Sequence, residues 1–373
     1  MSSEAHVNLR LIYGSLLQAQ SPCCNWLIEE WKKNPVLKGY TALLNAHITL
    51  ATLVLINTIL ASGVQLTVTC SPELVCHNNI KQKLIDAGVK FLEHETLKNS
   101  ITNEYDIAFD CGATLANDVS PRYGFIELTH VNEERYNNVH THILNIDSGI
   151  LKLIETTFGT GDGFVRAINY LCQQKNADIK RLNFVLFGFG KVGRGILYSL
   201  RKIGLHSHQI TIVERNLKLL EIAQNLGYQT LSLDHQLELI RETLKNTDCV
   251  ITATGIANAI SNTFDGIDFT TVEYLANMGT YDEWGDKFGK GRILNNKKPL
   301  NFMLEVPTSA NYIDPIFALL IYSAVDRIHN QDKRPAQITN VNPSIEKPIL
   351  DHWIQYNNGS EEYELIKRWN NLQ

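Results

Sequence analysis

The chain has 373 residues, is 44% hydrophobic and 20% charged, and carries a formal net charge of −5. That length suffices for two domains with sizeable cores, and the composition is that of a globular protein. There is no basic field for nucleic acid, and the seven cysteines form neither a CxxC pair nor a paired framework, so no disulfide scaffold and no metal site are expected.

Residues 8–33 carry helical periodicity, and Leu37 to Leu44 lead into a strand or turn. The apolar run from Ile48 is interrupted by Thr49, Thr52, Asn57 and Thr58, which predicts a buried helix to Ala61 rather than a membrane span. With no signal-peptide pattern in MSSEAHVNLR, a cytoplasmic location is expected. Strands are expected at Val64–Cys70, Lys90–Leu92 and Asp106–Asp110, with a helix over Asn78–Ala87 between the first two. His140 and His142 alternate as on one face of a strand. The glycine-rich Phe158–Gly163 divides the chain, and a helix over Phe164–Gln174 follows. A second alternating set runs from Phe184 to about Val306. The tail from Pro307 opens with an apolar helix over Ile316–Ile328, turns polar and ends in a helix near Glu361–Trp369. Strand–helix alternation predicts an α/β protein of two domains with an interdomain cleft. Residues 1–157, completed by 307–373, form the substrate domain, and 158–306 a Rossmann-type doubly wound parallel sheet.

The most informative segment lies at the start of that second set. The apolar run Phe184–Phe187 ends in Gly188-Phe189-Gly190-Lys191-Val192-Gly193, and an amphipathic helix pattern follows. Gly188 permits a tight turn, Gly190 lets backbone approach phosphates, and Gly193 lets the new helix pack against its strand. The helix N-terminus then faces the pyrophosphate, with Lys191 and Val192 in its first turn. The next strand, Gln209–Glu214, ends in an acid 26 positions after Gly188, near the spacing for an acid that accepts from the adenosine ribose. An acid there favours NAD over NADP, although Arg215 and Lys191 are cations able to meet a phosphate. Asp248 to Gly255 reads as a buried strand and a small-residue loop, adding Thr254 and Gly255 to the cofactor site.

The order and spacing of these pieces resemble the S-adenosylhomocysteine hydrolase family over roughly residues 36–325. Gly188 to Gly195 match its GYGxVGKG pattern, Leu44 to Thr49 its LHMT segment, and Asp110 to Ala113 its DDGG turn. Gly124 to Thr129 stand at GISEET, Asp147 to Gly161 at the NDSVTKSKFDNxYG block, and Asn277 to Asp282 at NIGHFD. The resemblance implies a tightly held NAD that oxidises a ribose hydroxyl and is regenerated in the same cycle. It also implies a homodimer or homotetramer, and adds Thr129 and Asn277 to the cofactor residues. The departures fall on the substrate side. The catalytic lysine becomes Leu151 with Lys152 beside it, its aspartate and asparagine become Glu155 and Thr156, and Cys111, Leu128 and Thr280 replace two acids and a histidine. Ala310–Pro315 replace the GHPS loop, and the lysine- and tyrosine-bearing tail is not recognisable in Arg368–Gln373.

The expected catalytic residues are therefore His47, Glu155, Lys152 and Asp110, with Thr49, Asp282 and Glu127 binding substrate. Each has a plainer role available: His47 as a hydrogen-bonded helix-head residue, Lys152 and Glu155 as surface charges, and Asp110 as a turn cap. The expected function is hydride transfer on a small polar substrate, nucleoside-like or amino-acid-like. The alternatives are genuine S-adenosylhomocysteine hydrolysis with recycled NAD, and a non-catalytic NAD-binding regulator.

Overall fold

A computed structural model describes residues 2–99, 105–129, 132–330 and 337–370. The chain forms two compact units, 1–154 with 310–373, and 155–309.

The first unit begins with α1 (Ser2–Ala19), α2 (Pro22–Trp31), β1 (Thr41–Asn45), α3 (Thr52–Ala61) and β2 (Gln65–Thr69). It continues through α4 (Asn78–Asp86), β3 (Lys90–Phe91), α5 (His94–Asn99), β4 (Ile107–Asp110), β5 (Phe125–Glu127), β6 (Ile143–Asn145) and α6 (Ile150–Ile154). The second unit holds α7 (Thr160–Gln174), β7 (Phe184–Phe187), α8 (Lys191–Lys202), β8 (Ile210–Glu214), α9 (Leu217–Asn225), β9 (Gln229–Ser232), α10 (Leu237–Leu244), β10 (Cys249–Thr252) and β11 (Tyr274–Asn277). The chain then returns to the first unit with α11 (Ala310–Asn330), β12 (Ile338–Asn340), α12 (Pro343–Asn357) and α13 (Ser360–Asn370).

Both sheets are wholly parallel. The first has the order β12-β6-β5-β4-β1-β2-β3, and the second β11-β10-β7-β8-β9. Each starts at a central strand, runs outward to one edge, and then crosses back to fill the other side. Each therefore has a topological switch point, between β1 and β4 in one sheet and between β7 and β10 in the other. Ligands of open α/β sheets bind outside the carboxyl ends of the strands at that point. Neighbouring residues of β7 enter different cores: Phe184 and Leu186 pack in one, Val185 and Phe187 in the other. Burial on both faces explains why these strands read as continuous apolar runs rather than as alternation.

Several boundaries differ from expectation for local reasons. The helical stretch at 8–33 is two helices, with Pro22 in the first turn of α2, where a missing N–H costs nothing. The helix expected from Ile48 starts at Thr52, because the Thr52 hydroxyl donates to the His47 carbonyl and Ile48 pairs with Cys76 in a bridge. The glycine-rich divider is helical: a π-helical turn over Glu155–Gly159 runs into α7. Its glycines serve close packing. A Cβ on Gly161 would lie 2.2 Å from the Gly195 carbonyl oxygen of α8, and one on Gly195 would lie 1.6 Å from that of Thr157. His140 and His142 precede β6 instead of sharing a strand face; His142 is buried against Thr339, whereas His140 is exposed. The Ala310–Pro315 segment opens α11 rather than forming a loop, and the carbonyl of Asn311 that Pro315 leaves without an N–H takes a 2.6 Å bond from Trp353 Nε1. Residues 371–373 of the tail lie outside the described residues. No helix among the described residues is long and apolar enough to cross a membrane.

Candidate functional site

In the second unit the turn after β7 lies at the switch point. Gly188 has φ +95°, and a Cβ there would meet the Ala253 carbonyl oxygen at 2.4 Å, so the turn sits directly against the loop after β10. Gly190 caps α8 and, having no side chain, leaves the first N–H groups of that helix without a side-chain cap. A Cβ on Gly190 would meet nothing within 4 Å. Open space therefore faces a helix start whose donors and dipole suit an anion. Gly193 is buried, with a virtual Cβ 2.1 Å from the Gly188 carbonyl oxygen, which matches a role in helix–strand closeness. Lys191 is exposed and Val192 half-buried.

Glu214, at the end of β8, reaches the same turn. Its Oε2 accepts from Phe189 N at 2.7 Å, and its Oε1 accepts from Arg215 N and Asn216 N at 2.7 and 3.0 Å. Arg215 is turned to Asp234 at 3.6 Å, and both side chains are about half exposed. Sequence reasoning missed Arg194, a buried guanidinium whose Nε donates to the Gly190 carbonyl at 3.3 Å. Its position inside the glycine pattern was the available signal.

The far side of this switch point is organised by Glu283, also missed. Its side chain is fully buried; Oε2 accepts from Thr254 N at 2.9 Å and Oε1 from Gly255 N at 2.6 Å. Burial pushes its carboxyl up, and the donors of Thr254, Gly255 and Thr252 oppose that. Thr254 and Gly255, expected to line the cofactor site, therefore have their N–H groups engaged by Glu283. Asn277 also faces inward. Its Nδ2 donates to the carbonyls of Gly279, Tyr281 and Lys297, and its Oδ1 accepts from Thr252 and Gly279. Asp282 is likewise committed, accepting from Trp284 N, Gly285 N and the Lys297 ammonium. Asn277 and Asp282 both brace the loop after β11.

In the first unit the ends of β1 and β4 meet at the other switch point. Asp110 and Glu127 end β4 and β5, both essentially inaccessible. Asp110 accepts from Asn45 Nδ2, Cys111 N, Leu115 N and the Tyr136 hydroxyl at 2.8–3.1 Å. Glu127 accepts from Gly112 N, Ala113 N, Thr129 N and Oγ1, and the Tyr136 hydroxyl at 2.7–3.0 Å. The two acids thus clamp the turn at 110–115, where Ala113 is held at φ 53°. Burial raises both carboxyls; Asp110 adds repulsion that brings Glu127 to about 7. Asp110 caps the turn, the Glu127 oxygens are engaged by the turn and by Tyr136, and the Thr129 hydroxyl donates to Glu127. Each acid fills its acceptor sites internally.

Lys152 is buried in α6, not a solvated surface lysine. The Cys111 thiol is raised well above its ordinary range by burial and by Glu127 and Asp110, with the Lys152 ammonium opposing them. Glu346 of α12 fixes the start of α6, accepting from Leu151 N at 2.7 Å. His47 Nδ1 accepts from Val75 N at 3.0 Å, which puts the neutral ring's proton on Nε2. Thr49 is buried beside Thr52, their hydroxyls 3.1 Å apart. In the second unit Glu155 is buried at the first position of the π-helical turn, not a helix-surface charge; such turns recur at functional sites. No group of three or more His, Cys, Asp or Glu among the described residues is placed to hold a metal ion.

No protein-family model matches the chain. It is 26% identical over 300 residues to the S-inosyl-L-homocysteine hydrolase of Methanopyrus kandleri, covering 71% of this chain and 65% of that protein. It is 25% identical over 289 residues to the adenosylhomocysteinase of Thermotoga maritima, covering 70% and 67%. The chain is a divergent adenosylhomocysteinase-like protein. It spans about two thirds of the length of these relatives. Among solved structures, a dipicolinate synthase chain from Bacillus halodurans aligns with 12% identity and a TM-score of 0.47, over 78% of this chain and 98% of that one. The strand order and glycine turn make the 155–309 unit a Rossmann-type, NAD-class dinucleotide fold.

The residues that differ from the adenosylhomocysteinase pattern occupy distinct environments. Leu151 and Cys111 are buried, Leu128 is half-buried and Thr280 is exposed. The divergence is thus not confined to solvent-facing positions.

Proposed function

We propose that the 155–309 unit binds NAD and that the chain is an NAD-dependent enzyme acting by hydride transfer on a small polar substrate, nucleoside-like or amino-acid-like. The observation that carries this reading is the Glu214–Phe189 contact across the glycine turn, beside the uncapped start of α8. An acid at that place accepts from ribose hydroxyls and repels a 2′-phosphate, which favours NAD over NADP. The α8 N–H groups would hold the pyrophosphate, with Gly190 leaving room and the Arg194 cation supporting the turn. When bound, NAD supplies the hydride acceptor. Proton handling falls to His47, whose neutral ring carries its proton on Nε2, and to the Lys152 ammonium, with Glu155 a further acid. Thr49 is the proposed substrate contact. A homodimer or homotetramer belongs to the same reading.

A second reading is hydrolysis of a nucleosyl-homocysteine thioether with NAD regenerated within the cycle. It is favoured by the names of the curated relatives, an S-inosyl-L-homocysteine hydrolase and adenosylhomocysteinases. Leu151, Leu128 and Thr280 count against it, because each replaces a group able to move or hold a proton. Incubation of the protein with NAD and S-adenosylhomocysteine, followed by mass spectrometry and absorbance at the NADH band, separates the two. Adenosine and homocysteine without net NADH establish the hydrolase. Unchanged thioether, with NADH formed from another alcohol or amine, establishes the dehydrogenase. Bound NAD with no turnover on a broad panel leaves a non-catalytic NAD-binding regulator.

A further inference from the structure

Glu283 is the fully buried acid that organises the carboxyl edge of β10 and β11, and the geometry around it is specific. Its two oxygens take the N–H groups of Thr254 and Gly255. Gly279 is needed to admit it, since a Cβ there would lie 1.9 Å from Glu283 Oε1. Among the described residues no Lys, Arg or His forms an ion pair with it; the nearby Lys297 is instead paired with Asp282 at 3.0 Å. The carboxylate is therefore held by dipoles alone. A buried charge without a counter-charge projects a field that neighbouring solvent screens poorly.

That field falls on a particular half of the proposed cofactor site. Glu214 marks the adenosine end, at β7 and β8. A dinucleotide that crosses the switch point carries its other half toward β10 and β11. Oxidised nicotinamide is a pyridinium cation, whereas the reduced ring is neutral. We propose that Glu283 is a positioning residue with an electrostatic role: it holds the Thr254–Gly255 loop and supplies the negative charge that makes this site prefer the oxidised dinucleotide. The inference rests on the NAD reading above and assigns a redox-state preference that the reading itself does not require.

The test is titration of the whole chain with NAD+ and with NADH, by calorimetry and by nicotinamide fluorescence, for the wild type, Glu283→Gln and Glu283→Asp. The wild type is expected to bind NAD+ more tightly than NADH. Glu283→Gln removes the charge and should move the ratio of the two Kd values about tenfold toward NADH, equivalent to about 1.4 kcal/mol. Glu283→Asp keeps the charge but shortens the reach; it should weaken both forms together and leave the ratio within about twofold. A purely structural role predicts that Glu283→Gln weakens both forms equally, and that result overturns the inference while leaving the NAD reading intact. A wild type that prefers NADH overturns it even if Glu283→Gln does not fold. A wild type that binds neither form overturns both.

Discussion

Two glycines in one turn allow binding to be separated from folding. Gly188 has φ +95° and faces backbone, with a virtual Cβ 2.4 Å from the Ala253 carbonyl oxygen and 2.9 Å from Thr254 Cα. An alanine there incurs left-handed strain of about 1–2 kcal/mol and an overlap that only movement of the β10 loop can relieve, about 1–3 kcal/mol more. Gly190 has φ −73° and open space around its virtual Cβ. Gly190→Ala loses only the small cap preference of glycine over alanine, under about 1 kcal/mol. Its methyl nevertheless enters the volume where a pyrophosphate would approach the α8 N–H groups. Urea unfolding should therefore show Gly188→Ala destabilised by several kcal/mol and Gly190→Ala nearly as stable as the wild type. NAD titration should show Gly190→Ala weakened at least tenfold. A Gly190→Ala protein that binds NAD as the wild type does would remove the pyrophosphate from this turn and refute the reasoning.

Other consequences follow from the same contacts. Glu214→Ala should lower NAD affinity and reduce the NAD-over-NADP preference at least tenfold in paired titrations; an unchanged ratio removes Glu214 from the ribose. Gly195→Ala places a methyl 1.6 Å from the Thr157 carbonyl oxygen and should cost more than about 3 kcal/mol of stability, read by chemical denaturation, because two backbones must separate. Tyr136→Phe removes the hydroxyl that bonds both Asp110 and Glu127, and should destabilise the protein by about 1–3 kcal/mol. Glu127 has a folded-state value of about 7, above its ordinary carboxylate range, so the native state holds this proton more tightly than the unfolded chain. Its contribution is fully present below the ordinary range and is lost as pH rises through about 7. Unfolding measured from pH 4.5 to 8 should fall more steeply for the wild type than for Glu127→Gln, and parallel curves would contradict the assignment.

The cofactor half of the chain was legible because its signals are local. The apolar β7, the glycine turn and Glu214 each depend on neighbours close in sequence, and the strand order then joins them at the switch point. Glu283 was hidden because its partners, Thr254 and Gly255, lie 29 and 28 positions away, and only the pairing of β10 with β11 brings its loop back to them. The same distance concealed Glu346, which reaches Leu151 across 195 positions. Asp110 was read as a site residue because it ends a strand, and Glu127 because it stands at the GISEET segment of the resemblance. Nothing in the sequence announced that Tyr136 and the backbone of the 110–115 turn would fill their acceptor sites. Gly161 and Gly163 resembled a linker, since glycine spacing alone does not distinguish a flexible joint from close helix packing.

Dinucleotide binding by the 155–309 unit underlies the proposed function. The direct measurement is calorimetric titration of the whole chain with NAD+, alongside Gly190→Ala as the matched folded control. The wild type is expected to bind at one site per chain, and the variant at least tenfold more weakly at equal stability. No heat of binding from a folded wild type that also contains no co-purified NAD, or equal affinity in both proteins, would contradict it.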